Sequence, residues 1–285
     1  PVIKKKILKD LNKITEKREL LRKKKHILMG ILNLTPDSFS DGGKFNSLKK
    51  ANQRIKVISE AGADIIDIGG ESTRPGSKII SPKNELRRVK DVITKFKNKF
   101  PKSLLSVDTR KSLVMINSIK YGVDLINDVS GFNYDINSLI KLKKFKVSKV
   151  LHHMKGTPNT MQKNPYYRNV LLDIYDYFEK GIKKIGDKKI IIDPGIGFGK
   201  NLKHNLTLIS KISLFHSLGF PILIGTSRKR FISQISGVND TKERIGGTVA
   251  SVLFLLSQGV QIFRVHNVNE VKQGIAVFKK ILSNF

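Results

Sequence analysis

Asp108, Asn127 and Asp193 each close a short apolar run, and Arg264 and His266 alternate within another. Carboxylate and amide oxygens accept N–H donors in pairs, and arginine offers a planar fork to phosphate oxygens. Alternate residues of an extended segment share a face, so Arg264 and His266 point the same way. Ile262, Phe263 and Val265 make that segment apolar, which argues against a basic pair on an exposed edge. Taken singly, each Asp or Asn could instead cap a following helix. Gly195, Gly197 and Gly199 lack the spacing of a dinucleotide fingerprint and suit close backbone approach to a ligand. His152 and His153 are adjacent, so on a strand they face opposite sides, which favours packing roles over metal ligation.

The elements that must hold these residues recur along the chain. Apolar segments lie at 27–33, 64–68, 104–108, 125–128, 149–153, 190–193, 222–224 and 262–266, and nearly all run into polar or glycine-rich clusters. Helical periodicity fills most gaps, as with Leu48, Ala51, Ile55 and Ile58. Ser81-Pro82 predicts an N-cap followed by proline at the first helical position. Strand–helix alternation with polar strand ends predicts a single α/β domain, a (β/α)8 TIM barrel with its site at the carboxyl ends. Extended loops follow the first, second and fifth strands, at 34–47, 69–81 and 154–168. Length agrees: 285 residues accommodate one barrel, typically about 250 residues. The reading divides the chain into a basic lead-in, 1–25, and a barrel, 26–285.

The net charge of +31, from 54 basic and 23 acidic residues, would by itself suggest a polyanion partner. The lysines are instead scattered over every helix-like stretch, with no aromatic-interleaved basic repeat, so no specific nucleic-acid partner is expected. Without cysteine, disulfides and thiolate metal sites are excluded. The lead-in carries Asp10, Glu16 and Glu19 and no sustained apolar core, unlike a secretory signal. The longest largely apolar run, 249–256, is too short to span a bilayer and fits a buried helix. The expectation is a cytoplasmic protein without a membrane partner.

Seven segments, in order, resemble the dihydropteroate synthase family. They are Met29-Gly-Ile-Leu-Asn-Leu-Thr-Pro-Asp-Ser-Phe-Ser-Asp-Gly-Gly43, Ala61-Gly-Ala-Asp-Ile-Ile-Asp-Ile-Gly-Gly-Glu-Ser-Thr-Arg-Pro-Gly76, Ser106-Val-Asp-Thr-Arg110, Ile126-Asn-Asp-Val-Ser-Gly131, Asp193-Pro-Gly-Ile-Gly-Phe-Gly-Lys200, Ser227-Arg-Lys229 and Arg264-Val-His266. The family joins 6-hydroxymethyl-7,8-dihydropterin diphosphate to p-aminobenzoate, releases pyrophosphate, and is a sulfonamide target. The resemblance implies that Asp193 and Asn127 read the aminopyrimidine edge of the pterin. Asp108 would lie nearer the other ring, Lys229 at the ring oxygen and nitrogen, and Phe198 beside them. It implies Asn33, Thr73, Arg74, Arg264 and His266 for the diphosphate, with Asn33 also holding a Mg²⁺ cofactor that the diphosphate carries. Phe39, Pro75, Phe198 and Ser227 would form the p-aminobenzoate pocket, with Lys229 against it. Asp41, Arg74 and Lys229 would act on the reaction itself, Asp41 by stabilising a pterin methylene cation. A homodimer is implied as well, through residues 248–257 and the C-terminal helix. Small departures are Asn267 and Gly246, where the family often has aspartate and histidine, and His152 in place of an apolar residue. A pterin-dependent methyltransferase would share the Asp/Asn/Asp pocket but needs no diphosphate site. A silent basic barrel that binds nucleic acid would need neither.

Overall fold

Runs such as Ile190-Ile-Ile leave no polar face, so their strands must be covered on both sides. The structure, a computed structural model, describes residues 26–35, 44–72, 77–100 and 103–283. Its strands are β1 (Ile27–Asn33), β2 (Ile65–Gly69), β3 (Leu104–Asp108), β4 (Leu125–Asp128), β5 (Ser148–His152), β6 (Ile190–Asp193), β7 (Leu223–Ile224) and β8 (Ile262–Val265). All named pairs are parallel, in the order β6-β5-β4-β3-β2-β1-β8-β7. A parallel bridge between Ile192 and Ile222 joins the two ends, with Ile192 N donating to Pro221 O at 2.9 Å. The sheet thereby closes into the barrel that the sequence predicts.

Around it pack α1 (Lys44–Glu60), α2 (Pro82–Lys99), α3 (Ser112–Lys120), α4 (Ser138–Leu142), α5 (Val170–Ile185), α6 (Leu202–Ser210), α7 (Arg230–Ser236), α8 (Ile245–Ser257) and α9 (Val268–Leu282). A 3₁₀ segment, Ile212–Leu218, follows α6. Ser81 caps α2 by accepting from Asn84 N, with Pro82 in the first turn. At α6, Asn201 and His204 form a reciprocal capping box.

The core has two parts. Helix faces pack on the outside of the strands in one large cluster, including Phe96, Phe178, Phe215 and Phe263. Inside the barrel, Met29, Ile65, Leu125, Val150, Leu223 and Ile262 form an apolar layer. Two residues further along β2, β4 and β8 the same inward face carries Asp67, Asn127 and Arg264. The interior therefore changes from hydrocarbon to charge within one strand repeat.

Several boundaries differ from the sequence reading. β2 and β5 shift by one residue, β7 loses Ile222 to the bridge, and β8 ends before His266. Helix α1 begins at Lys44, inside the stretch read as the first loop. The run 249–256 does lie in a helix, but Phe254 is 44% exposed, so α8 is buried on one face only. The lead-in, residues 36–43 and residues 73–76 lie outside the described residues.

Candidate active site at the strand ends

Barrel closure brings the inward-facing strand ends together. Arg264, on β8, donates through Nε to Asp67 Oδ2 at 2.6 Å and through Nη2 to Asp108 Oδ2 at 2.8 Å. Asn127 Nδ2 donates to the same Asp67 oxygen at 3.1 Å. Asp67 is completely buried, and a buried carboxylate is tolerated where donors converge on it. Asn127 is buried too, and its Oδ1 has no protein partner. Asn33 lies beside them: a Cβ added at Gly69 would sit 3.5 Å from Asn33 Oδ1 and 3.7 Å from Asp108 Cβ. Glycine there leaves the mouth open between these groups.

Across the mouth, Asp193 Oδ1 accepts from Gly195 N at 2.8 Å, and His152 Nε2 lies 4.0 Å from Asp193 Oδ2. The Lys229 ammonium sits 4.4 Å from the centre of the Phe198 ring and donates to Ile196 O. Burial raises the Asp193 carboxyl to about 6, against the pull of Lys229 and Arg264. Burial likewise lifts Asp108 to about 7; Arg264 opposes the rise and Asp67 adds to it. Lys229 is lowered to about 8, by burial first and then by Arg264, against Asp193. These mutual effects mark one electrostatic unit of carboxylates and cations at the strand ends.

Ser227 and His266 meet directly. Ser227 Oγ lies 3.1 Å from His266 Nδ1 and accepts from His266 N at 3.2 Å. Arg228 between Ser227 and Lys229 takes φ 59°, an uncommon left-handed conformation for a side-chain-bearing residue. Its N–H donates to Thr248 Oγ1 at 3.1 Å, and its guanidinium donates to Asn267 Oδ1 from Nε at 3.0 Å and Nη2 at 2.6 Å. That anchor fixes the chain between two site residues. Asn267 therefore takes both donors on one amide oxygen.

Asn33, Asp108, Asn127, Asp193, Phe198, Ser227, Lys229, Arg264 and His266 thus all line or adjoin one mouth. Phe39, Asp41, Thr73, Arg74 and Pro75 lie outside the described residues. The glycine loop departs from expectation at two positions. A Cβ at Gly195 would lie 2.0 Å from His153 O and one at Gly199 2.3 Å from Lys155 O, both at positive φ. Those glycines let the loop pack on the segment after β5, whereas Gly197 faces Lys229, 3.2 Å from its Cδ. His152 and His153 pack as the sequence suggests: His152 Nδ1 lies 2.9 Å from Val129 O, and His153 Nδ1 lies 2.9 Å from the buried Lys200 Nζ.

Two functional features escaped the sequence reading. Asp67 sits inside Ile65-Ile-Asp-Ile68, and a charge within a buried strand was the available signal. Behind the site, Lys111 Nζ bonds Glu71 Oε1 at 2.7 Å and Glu85 Oε2 at 2.5 Å, while Arg110 Nε bonds Glu71 Oε2 at 3.0 Å. Glu71 Oε1 also accepts from Ile80 N at 3.0 Å, and Ser77 Oγ donates to Ser72 O at 2.6 Å. These bonds tie both ends of the β2–α2 connection to the end of β3.

Residues 29–266 match the family model described as pterin binding enzyme. The dihydropteroate synthase of Escherichia coli (strain K12) is 41% identical over 261 residues, covering 90% of this chain and 92% of that protein. A Yersinia pestis dihydropteroate synthase, solved with a sulfonamide drug, superposes with TM-score 0.85 at 40% identity, covering 90% of this chain and 94% of that one. A Xanthomonas albilineans dihydropteroate synthase, solved with 4-aminobenzoic acid, gives TM-score 0.85 at 35% identity, covering 90% and 93%. Its strand-end site and these likenesses place the chain in the dihydropteroate synthase family, a family of transferases.

Proposed function

We propose that the protein condenses 6-hydroxymethyl-7,8-dihydropterin diphosphate with p-aminobenzoate to give 7,8-dihydropteroate and pyrophosphate. The observation that carries this reading is the bond from Arg264 to Asp108, which sets a phosphate-type cation directly against a pterin-type carboxylate. Asp193 and Asn127 accept from the aminopyrimidine edge, and Asp108 faces the other ring. Lys229 donates to the ring oxygen and nitrogen. Phe198, with the Lys229 ammonium over its face, gives one flat wall of the p-aminobenzoate site, and Ser227 donates towards its carboxylate.

Arg264 and His266, with Thr73 and Arg74, hold the diphosphate. The methylene C–O bond breaks with its electron pair leaving on pyrophosphate. By family resemblance Asp41 is assigned to stabilising the methylene cation, and Phe39 and Pro75 to the aromatic pocket. The neutral arylamine adds through its lone pair and then loses its proton to solvent. Among the described residues no group of three or more His, Asp or Glu could hold a resident metal ion. Asn33 Oδ1 beside Asp108 fits an ion that arrives on the diphosphate, where Mg²⁺ would screen the leaving charge.

We propose further that two copies pair through α8 and α9. Support comes from Phe254, Val277 and Ile281, which are 44%, 56% and 53% exposed on those helices. The test of activity is direct: both substrates with Mg²⁺, quantifying dihydropteroate and pyrophosphate. Equal yields of both, lost in Arg264→Ala and Asp193→Ala, support the reading. A folded protein that binds pterin without turnover refutes it.

A further inference from the structure

We propose that Asp67 is a positioning residue of this site. Its carboxylate turns the Asn127 amide so that an oxygen, rather than an N–H, faces the pterin, and it seats Arg264 beside Asp108. The inference rests on the pterin reading above and adds a residue which that reading leaves without a role.

The geometry runs through one oxygen. Asp67 Oδ2 receives Arg264 Nε at 2.6 Å and Asn127 Nδ2 at 3.1 Å. A carboxylate only accepts, so the reverse amide orientation would set two acceptors against each other. Asn127 Oδ1 is thereby directed away from Asp67, buried and without a protein donor. Such an acceptor is satisfied when a ligand N–H reaches it. The Arg264 side chain, meanwhile, is 21% exposed and held on its inner side by Asp67 and Asp108, leaving its outer edge towards the mouth. One fully buried carboxylate thus orders a group on the pterin side and a group on the diphosphate side. Asp67 itself is fully buried behind both groups.

A purely structural role, neutralising a buried arginine, makes a different forecast. The discriminating experiment exchanges the two side chains. Asp67→Asn removes the acceptor, and Asn127→Asp sets carboxylate against carboxylate. In the double variant the introduced amide N–H donates to the introduced carboxylate, whose second oxygen still faces the ligand. That N–H, however, stands where Asp67 Oδ2 accepted from Arg264 Nε, so only the pterin side is restored. Steady-state kinetics with the pterin diphosphate at saturating p-aminobenzoate and affinity for diphosphate-free 6-hydroxymethylpterin are the readouts, with thermal midpoints alongside. Each single variant is expected to lose at least thirtyfold in kcat/KM, mainly through KM for the pterin substrate. The double variant is expected to recover its affinity for the free pterin to within fivefold of wild type while kcat/KM stays low. Losses of pterin affinity that multiply in the double variant, or an Asp67→Asn protein with wild-type kinetics, overturn the proposal. Wild-type protein without turnover would instead overturn the pterin reading itself.

Should Asp67→Asn fail to fold, Asn127→Asp alone decides. Around position 127 the charged groups are Asp108 on the adjacent β3, Asp67 on β2 and Arg264 on β8, with Asp193 across the mouth. A proton shared between positions 67 and 127 replaces the lost amide N–H. The ratio of variant to wild-type kcat/KM should therefore rise as pH falls from 8 to 6. A flat ratio refutes the positioning role.

Discussion

Two carboxyls of the mouth sit where burial holds on to their protons, Asp193 at about 6 and Asp108 at about 7. An aminopyrimidine edge is best met by the ionised form. Affinity for a pterin such as 6-hydroxymethylpterin should accordingly rise as pH increases from 5 to 7.5, approaching tenfold per unit for a single group. Isothermal titration across that range checks it, and Asp193→Asn should remove the step near 6. The sign for stability is opposite. A folded pKa above the unfolded 3.8 contributes stability that is present at low pH and lost as pH rises through 6 to 7. Arg264→Lys keeps a charge but loses the fork that spans Asp67 and Asp108. Its kcat/KM should fall at least tenfold, roughly the loss of one charge-assisted hydrogen bond. At this scale the sequence showed which polar residues end strands. It did not show their mutual bonds, because Arg264 and Asp67 are 197 positions apart.

The elements depend on a contact hidden beneath the site. Lys111, in the turn before α3, is almost fully buried between Glu71 and Glu85. Burial raises the Glu85 carboxyl despite the Lys111 bond, whereas Glu71 is lowered overall by its donors against the same burial cost. Lys111→Met would leave the buried Glu85 without its cation and Glu71 with Arg110 and the Ile80 N–H alone, at a cost of about 3–5 kcal/mol. For a chain of this size the thermal midpoint should drop by roughly 6–20 °C, and adding Glu85→Gln should restore part of it. A midpoint within a degree of wild type would contradict the ionic account. The cap at Ser81, by contrast, was legible beforehand, since the signal lies within a few adjacent residues. The Glu71–Lys111 bond spans 40 positions and left no local trace. β7 was overdrawn for a related reason: Ile222 is apolar, but its N–H donates to Gln261 Oε1 at 2.8 Å and not to a neighbouring strand.

For the whole molecule, fold class was readable because eight strand-like runs with helices between them admit few parallel arrangements. Association was less so, since periodicity gives a helix's apolar face without saying what covers it. If α8 and α9 pair two copies, Phe254→Glu should convert a dimer of this 32.1 kDa chain to monomer in sedimentation analysis, with its thermal midpoint little changed. A wild-type protein that sediments as a monomer at micromolar concentration would refute the pairing.

The barrel also has a seam. Where β7 meets β6, the described residues provide the Ile192–Ile222 bridge, beside a β7 of two residues. Asp193 stands on one side of that seam and Lys229, beyond β7, on the other. Breathing there would part the staves on which those two groups are mounted. A ligand that bonds to both becomes the missing hoop of the cask. The Ile192 amide, which donates across the seam to Pro221 O, should then exchange slowly with deuterium only while the mouth is occupied, so that the wall itself reports on what it holds.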